Sequence, residues 1–372
     1  MCPLLVVIVI NILIGNYIII FNNTLIMEQP QQDKPQIKYE TLWKFIIRPI
    51  RDEYEDDELI ESTFIYRNKQ YNRKDYDLLS SQGYILKCSF IEPDDECRPT
   101  EEMPVVVYLH GNSSSRLEGQ RMVDHLLKHD INVFLFDFAG SGKSEGEFIS
   151  LGYHESRDVG IIIDFLEKLP GVGKIGLWGR SMGAATAMIY AHKDDRVSAL
   201  VVDSPFADFY RLAKELALKQ IKLPNFLLNT ALGIIKGTIK KKNGLDISKL
   251  KPIHAAEKTF TPIVFVHAMD DELIDFNHSI ELSQKYAGEN SFVTCHGGHN
   301  SPRPKEVISK IIKFFAKHLK VNGNEYVIEL EKLEAQKNKE PRMNEEDEES
   351  EGEADFEHGK AQTDFSEGKY GA

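Results

Sequence analysis

Cysteine is scarce in this chain. Cys2, Cys88, Cys97 and Cys295 are the only four among 372 residues, and their separations build no disulfide framework, the usage of a reducing compartment. Metal-ligand spacing is absent as well. Twelve histidines are scattered and neither C-x-x-C nor H-E-x-x-H occurs, so no metal and no cofactor is expected. An excess of positive charge is also missing. The net charge is -13, a sign that argues against a nucleic-acid partner. A phosphate-binding loop is incomplete: Gly140-Ser141-Gly142-Lys143-Ser144 ends like one, but the glycine required five positions before Gly142 is replaced by Asp137.

Long apolar runs are confined to one place. Leu4 to Phe21 is almost wholly apolar, interrupted by Asn11, Gly15 and Asn16, close to the roughly 20 residues a membrane helix needs. No Lys or Arg precedes it and no small-x-small cleavage site follows, which does not fit a secretory signal. Lys34, Lys38, Lys44, Arg48 and Arg51 follow it, so as a span it would keep the rest of the chain in the cytoplasm. Residues 1–26 therefore read either as an anchor or as an artefact of the gene model, with Met27 as the start and 27–60 as a leader. The other end, 321–372, reads as helical and then acidic. From about Glu340 it carries the run Glu345-Glu346-Asp347-Glu348-Glu349 and few large apolar residues, a composition expected to stay disordered. Sequons at Asn112-Ser113-Ser114 and Asn277-His278-Ser279 flank the catalytic residues proposed below, where a glycan would obstruct them, again favouring a cytoplasmic setting.

Between the ends, short apolar segments alternate with segments of helical period. Strands are expected at Val105–Leu109, Val133–Phe138, Ile175–Trp178, Val197–Val202, Ile263–Val266 and Phe292–Thr294, with Thr63–Tyr66 and Ile85–Phe90 upstream. That alternation predicts a mostly parallel, doubly wound α/β sheet over 61–320, with a ligand site at the carboxyl ends of its strands.

The chemistry enters at Gly179-Arg180-Ser181-Met182-Gly183, a G-x-S-x-G pattern directly after the apolar run Ile175-Gly176-Leu177-Trp178. A chain turning from strand to helix within one residue strains the serine backbone, and side chains two positions either side would collide. Glycines remove both collisions. Ser181 is therefore expected as a nucleophile, and a serine hydroxyl requires a base and a group to orient that base. Downstream, the strand Ile263–Ala268 opens into Asp270-Asp271-Glu272, and a last short strand runs into His296-Gly297-Gly298-His299-Asn300. The order Ser, Asp, His is that of one particular superfamily.

These motifs, with Leu109-His110-Gly111-Asn112-Ser113 and Asp137-Phe138-Ala139-Gly140-Ser141-Gly142-Lys143-Ser144-Glu145-Gly146, make the chain resemble an α/β-hydrolase of the serine-aminopeptidase-like (S33-type) or Bem46-like subgroup, from about Arg73 to Leu319. The resemblance implies an eight-stranded sheet with a helical cap at about 207–255, and an acyl-enzyme mechanism on an ester, thioester or amide. Laying the acid-loop pattern H-G-x-x-D-x-x-[VI] on His267 to Ile274 makes Asp271 the acid, with Ala268 in place of the usual glycine; Asp203 and then Asp270 are the alternatives. The G-x-H pattern favours His299 over His296. Main-chain N–H groups of Met182 and Asn112 would form the oxyanion hole, and His110 would hold the loop. Substrates implied are a small molecule, a peptide or a lipidated protein, the last because some Bem46-like relatives remove palmitate. A binding protein on the same fold is the non-enzymatic alternative. The cap carries leucines and isoleucines among many lysines; it is expected to close the site with its apolar face, and its basic face is also compatible with an anionic membrane.

Overall fold

The computed structural model describes residues 43–44, 46–220 and 224–321; the apolar segment 4–21 and the acidic tail lie outside the described residues. In chain order the strands are β1 (Thr63–Tyr66), β2 (Lys69–Leu79), β3 (Ile85–Pro93), β4 (Met103–Leu109), β5 (Asn132–Phe136), β6 (Val172–Arg180), β7 (Val197–Asp203), β8 (Ile263–Ala268) and β9 (Asn290–Cys295). They form one sheet in the order β1-β2-β3-β5-β4-β6-β7-β8-β9. Pairing is antiparallel from β1 through β3 to β5 and parallel from β5 to β9.

The sheet has nine strands among the described residues, not eight. The strand absent from the sequence reading is β2, whose residues KQYNRKDYDLL are mostly polar and mostly unburied. It pairs with β1 through a two-residue turn in which Arg67 (φ 52°) and Asn68 (φ 62°) both take left-handed backbone conformations, the geometry that matches strand twist. The fifth strand also stops at Phe136, so Asp137 and Phe138 belong to the turn beyond it.

Side-chain alternation explains the layering. Every residue of β4 is buried, as expected of a strand covered on both faces. Val105, Val107 and Leu109 enter one core, while Val106 and Tyr108 enter the other. The first core is covered by α2 (Glu155–Leu166) and α3 (Met182–Ala191), the second by α1 (Leu117–Leu127) and α8 (Lys305–His318). On α8, Val307, Ile308, Ile311, Ile312 and Phe315 form one buried stripe, the three-and-four spacing of an amphipathic helix. A methyl group at Gly176 would lie 2.8 Å from the Phe315 ring, so that glycine sets how closely α8 approaches the sheet.

Between β7 and β8 the insertion forms α4 (Phe209–Gln220), α5 (Asn225–Asn243) and α6 (Pro252–Ala256). Leu212, Leu216, Ile235 and Ile239 join the first core, and Leu228 and Leu232 pack with Ala217 in a small cluster of their own. Helix α7 (Asn277–Lys285) follows β8. Among the described residues no helix is long and apolar enough to cross a membrane.

One buried carboxyl gives the fold a pH signature. Asp158 of α2 is 1% exposed and accepts 2.8 Å hydrogen bonds from the N–H and hydroxyl of Ser81. Burial pushes it up to about 6 from 3.8 despite those two donors. A raised folded pKa means that the native state holds the proton more tightly than the unfolded chain. The stability it gives is therefore fully present below about 4 and is lost as pH rises through about 6, a change of about 3 kcal/mol. Denaturant midpoints of the protein and of Asp158→Asn should diverge over that window, with the variant gaining as pH rises; parallel curves would contradict the assignment.

Candidate active site

Ser181 occupies the single residue between β6 and α3, at φ 53° and ψ -112°. Such a backbone costs on the order of 1–3 kcal/mol outside glycine, and the surroundings impose it. Ser181 N–H donates to Asp203 O at 2.8 Å, tying the turn to β7. A Cβ at Gly179 would lie 2.3 Å from Gly183 O, and one at Gly183 would lie 2.0 Å from Leu109 O. Each distance is far inside van der Waals contact. Both glycines of the motif are thus demanded by the crossing of backbone on backbone.

His299, 3% exposed, reaches the serine from the loop after β9. Its Nε2 lies 3.1 Å from Ser181 Oγ, and its Nδ1 lies 2.7 Å from Asp271 Oδ2. Asp271 sits in the loop after β8, where its Oδ1 accepts from the N–H groups of Leu273 (2.9 Å) and Ile274 (2.8 Å). His267, within β8, places Nε2 3.4 Å from Asp271 Oδ2. Burial works to raise the Asp271 carboxyl, but hydrogen bonds from His267 and His299, the charge of His299 and the Ile274 N–H outweigh it and hold it well below the usual carboxylate range. An ionised carboxylate at Nδ1 keeps the proton there. That leaves the Nε2 lone pair facing the serine hydroxyl, an arrangement able to accept its proton.

The competing residues are engaged elsewhere. Asp203 is held by Arg303, whose Nε and Nη2 donate to its carboxylate at 2.7–3.1 Å. Asp270 accepts from Gly297 N–H at 3.0 Å and faces His296 Nδ1 at 3.2 Å. His296 is exposed. His110 is fully buried, with Nδ1 2.8 Å from Gly111 O and Nε2 accepting from Phe138 N–H at 3.0 Å, so it pins the loop and does not reach the serine.

Asn112 and Ser181 both line a cavity of about 480 Å³ whose other walls include Asp52, Leu117, Arg121, Leu273 and Asn300. Gly111 neighbours the elbow: a Cβ there would lie at ordinary contact distance, 3.8 Å, from Ser181 Cβ. The Met182 side chain is buried in the first core, so it can serve the site only through its N–H, which as the first residue of α3 has no acceptor within its own helix.

A second set of residues escaped the sequence reading. Arg180 donates to Glu118 at 2.9 Å, to His299 O at 2.7 Å and to Asn300 Oδ1 at 3.0 Å. Glu118 in turn accepts from Gly111 N–H at 3.0 Å and from Tyr108 OH at 3.1 Å. Burial pushes Glu118 up, yet Arg180, the Gly111 N–H and the Ser114 hydroxyl together hold it below its ordinary value. Glu272 accepts from His299 N–H at 3.1 Å. An arginine inside a buried elbow demands a counter-ion, and that demand was legible. Its source, 62 residues upstream, was not.

The turn that imitates a phosphate loop is wrapped around a carboxylate. Asp137 is fully buried and accepts from the N–H groups of Arg116 (2.7 Å) and Lys143 (3.0 Å) and from Tyr54 OH (2.6 Å). A Cβ at Gly142 (φ 46°) would lie 2.4 Å from Asp137 Cγ. On the other side Arg51 donates to the carbonyls of Gly142, Ser144 and Gly146. An anion already fills the space a phosphate would need.

No described residue of α4, α5 or α6 lines the cavity; Lys219 Nζ of α4 donates to Glu272 O, in the loop after β8, at 3.2 Å. The apolar faces of α4 and α5 go to the first core and to each other. Arg303, in contrast, is a structural keystone: besides Asp203 it donates to Gly298 O and Ser301 O, and its side chain is 6% exposed. Removing one partner of such a buried pair strands the other charge, so Arg303→Ala should lose about 3–5 kcal/mol in chemical denaturation. Replacing Arg303 and Asp203 together by apolar residues should recover much of that loss. Equal losses in the single and double variants would show that the pair is not what holds this loop.

Comparison with known proteins agrees with the architecture. A family model described as the alpha/beta hydrolase fold matches residues 104–231. The protein YqkD of Bacillus subtilis is 27% identical over 241 residues, covering 63% of this chain and 74% of its own length. The alpha/beta hydrolase domain-containing protein WAV2 of Arabidopsis thaliana is 30% identical over 219 residues, 57% of this chain and 66% of that one. Lysophosphatidylserine lipase ABHD12 of Rattus norvegicus is 25% identical over 197 residues, 51% of this chain but 47% of its own length. Among solved structures, the Pyrococcus furiosus esterase Pf2001 superposes with a TM-score of 0.52 at 21% identity, covering 67% of this chain and 94% of that one.

Proposed function

Starting from a chain with the α/β-hydrolase fold, we propose that it is a serine hydrolase working through an acyl-enzyme. The observation that carries this reading is the His299 ring, 2.7 Å from Asp271 on one side and 3.1 Å from Ser181 Oγ on the other. Ser181 Oγ attacks a carbonyl carbon while its proton passes to His299 Nε2, and Asp271 stabilises the imidazolium that forms. The developing oxyanion is met by the N–H groups of Met182 and Asn112. His299 then returns the proton to the leaving group, and a water deprotonated by the same nitrogen releases the acyl group and restores the hydroxyl.

For the bond cleaved, we favour a carboxylic ester. Relatives named as an esterase and a lipase support that choice. The serine-aminopeptidase-like and Bem46-like motifs keep amides and thioesters as the second reading, the latter as a depalmitoylase. The few cysteines support a cytoplasmic setting.

A matched panel assayed on the purified protein tests the choice: one acyl chain presented as ester and as thioester, beside short aminoacyl amides. Esters should give the highest kcat/KM. Turnover confined to aminoacyl amides would replace the esterase by an aminopeptidase, and turnover confined to thioesters by a depalmitoylase. Inertness towards the whole panel would favour the binding-protein reading.

A further inference from the structure

Helix α5 carries four lysines and no acidic residue over 19 positions, in a chain whose net charge is -13. Its inward face, Leu228, Leu232, Ile235 and Ile239, is buried. The opposite face holds two large apolar side chains that no packing requirement explains: Phe226 is 66% exposed and Ile234 is 53% exposed. Two turns of helix separate them, so they share one side with Gly233, Gly237, Lys240 and Lys241. A methyl at either glycine would meet nothing within 4 Å. The stripe thus carries Phe226 near one end, Ile234 between two glycines in the middle, and lysines at the other end. Beyond the basic end, Trp43 has Lys242 Nζ 5.5 Å and Lys44 Nζ 5.7 Å from its ring centroid, and Ile50 stands 82% exposed.

An aromatic and an aliphatic side chain held out to solvent on a helix with only positive charge have the character of an interfacial helix. The lysines select the partner's sign, and the exposed Phe226 and Ile234 select a surface that can be entered. We propose that the outer face of α5 docks on an anionic lipid bilayer, with Lys240 and Lys241 against the headgroups and Phe226 and Ile234 in the layer beneath. This inference does not depend on Ser181 being a nucleophile.

The test uses the full chain and vesicles of phosphatidylcholine, alone or with about a third phosphatidylserine. Binding should be at least about tenfold tighter to the mixed vesicles and should weaken as salt is raised. Lys240→Glu with Lys241→Glu should weaken it about a hundredfold, since each charge near such a surface contributes severalfold in affinity. Phe226→Gln with Ile234→Gln should weaken it about tenfold while leaving the salt dependence in place.

Equal binding to neutral and anionic vesicles would overturn the proposal. Binding untouched by the lysine reversals would overturn it too, since another segment would then hold the membrane. Sensitivity to the lysines without sensitivity to Phe226 and Ile234 would overturn the insertion of those two side chains and leave contact with the headgroups by charge alone.

Discussion

Ser181→Ala should abolish labelling by a fluorophosphonate probe and lower turnover by roughly 10⁵–10⁶-fold, because the base and the acid have nothing to act upon once the hydroxyl is gone. Stability should barely change, since alanine meets the same backbone strain at φ 53°. Ser181→Gly separates the two properties. It should be equally inert yet more stable than wild type by about 1 kcal/mol, because glycine adopts that backbone without penalty. A protein that keeps its strained serine sacrifices stability for a side chain placed at the mouth of a cavity. If Ser181→Ala retained labelling and turnover, the nucleophile would lie elsewhere and the elbow would be only a turn.

Asp271→Asn should cost about 10⁴-fold in kcat. The Asn oxygen can still accept from Leu273 and Ile274, but its amide would face His299 Nδ1 as a donor. The ring would then carry its proton on Nε2, and its lone pair would no longer face Ser181. Asp270→Asn, on the exposed neighbour, should leave turnover within about threefold. The pair of variants therefore decides between adjacent residues that one position of slippage in the acid-loop pattern would exchange. Stability should shift as well. The folded carboxyl of Asp271 titrates below its unfolded value, so its contribution is fully present above about pH 4 and is lost as pH falls towards the folded pKa. Acid unfolding curves of Asp271→Asn should lack that component.

These two residues also mark where the sequence was readable. The elbow was, because strand, glycine spacing and small-residue helix are local and each has a steric reason within five positions. The buried strands were readable for a similar reason: a strand covered on both faces must be an unbroken apolar run, as Val105–Leu109 is. Strand β2 was not, because at the sheet margin most of its side chains meet solvent and nothing forces an apolar pattern on it. The family resemblance ordered the acid candidates Asp271, then Asp203, then Asp270, but the partners that engage the last two, Arg303 and His296, were not legible. Arg303 lies 100 residues from Asp203 in sequence, and no periodicity encodes a partner at that distance. The insertion was legible only in part. Leu212, Leu216, Ile235 and Ile239 are buried in the main core, while Leu218, Phe226 and Ile234 stand exposed; hydrophobicity alone does not say which residue goes where.

Arg180 bolts two loops with one side chain, through Glu118 to Gly111 and directly to the carbonyl of His299. The loop of Gly111 and the loop of His299 are therefore tied through one guanidinium, and a change that shifts Glu118 reaches both. Adaptation towards a new substrate must then proceed either by coordinated replacements across that bolt or by changes in walls it does not touch, such as Asp52 and Arg121. A double-mutant cycle between the Glu118 and Asn300 positions would register this linkage as non-additivity, although the two side chains meet only through the guanidinium between them.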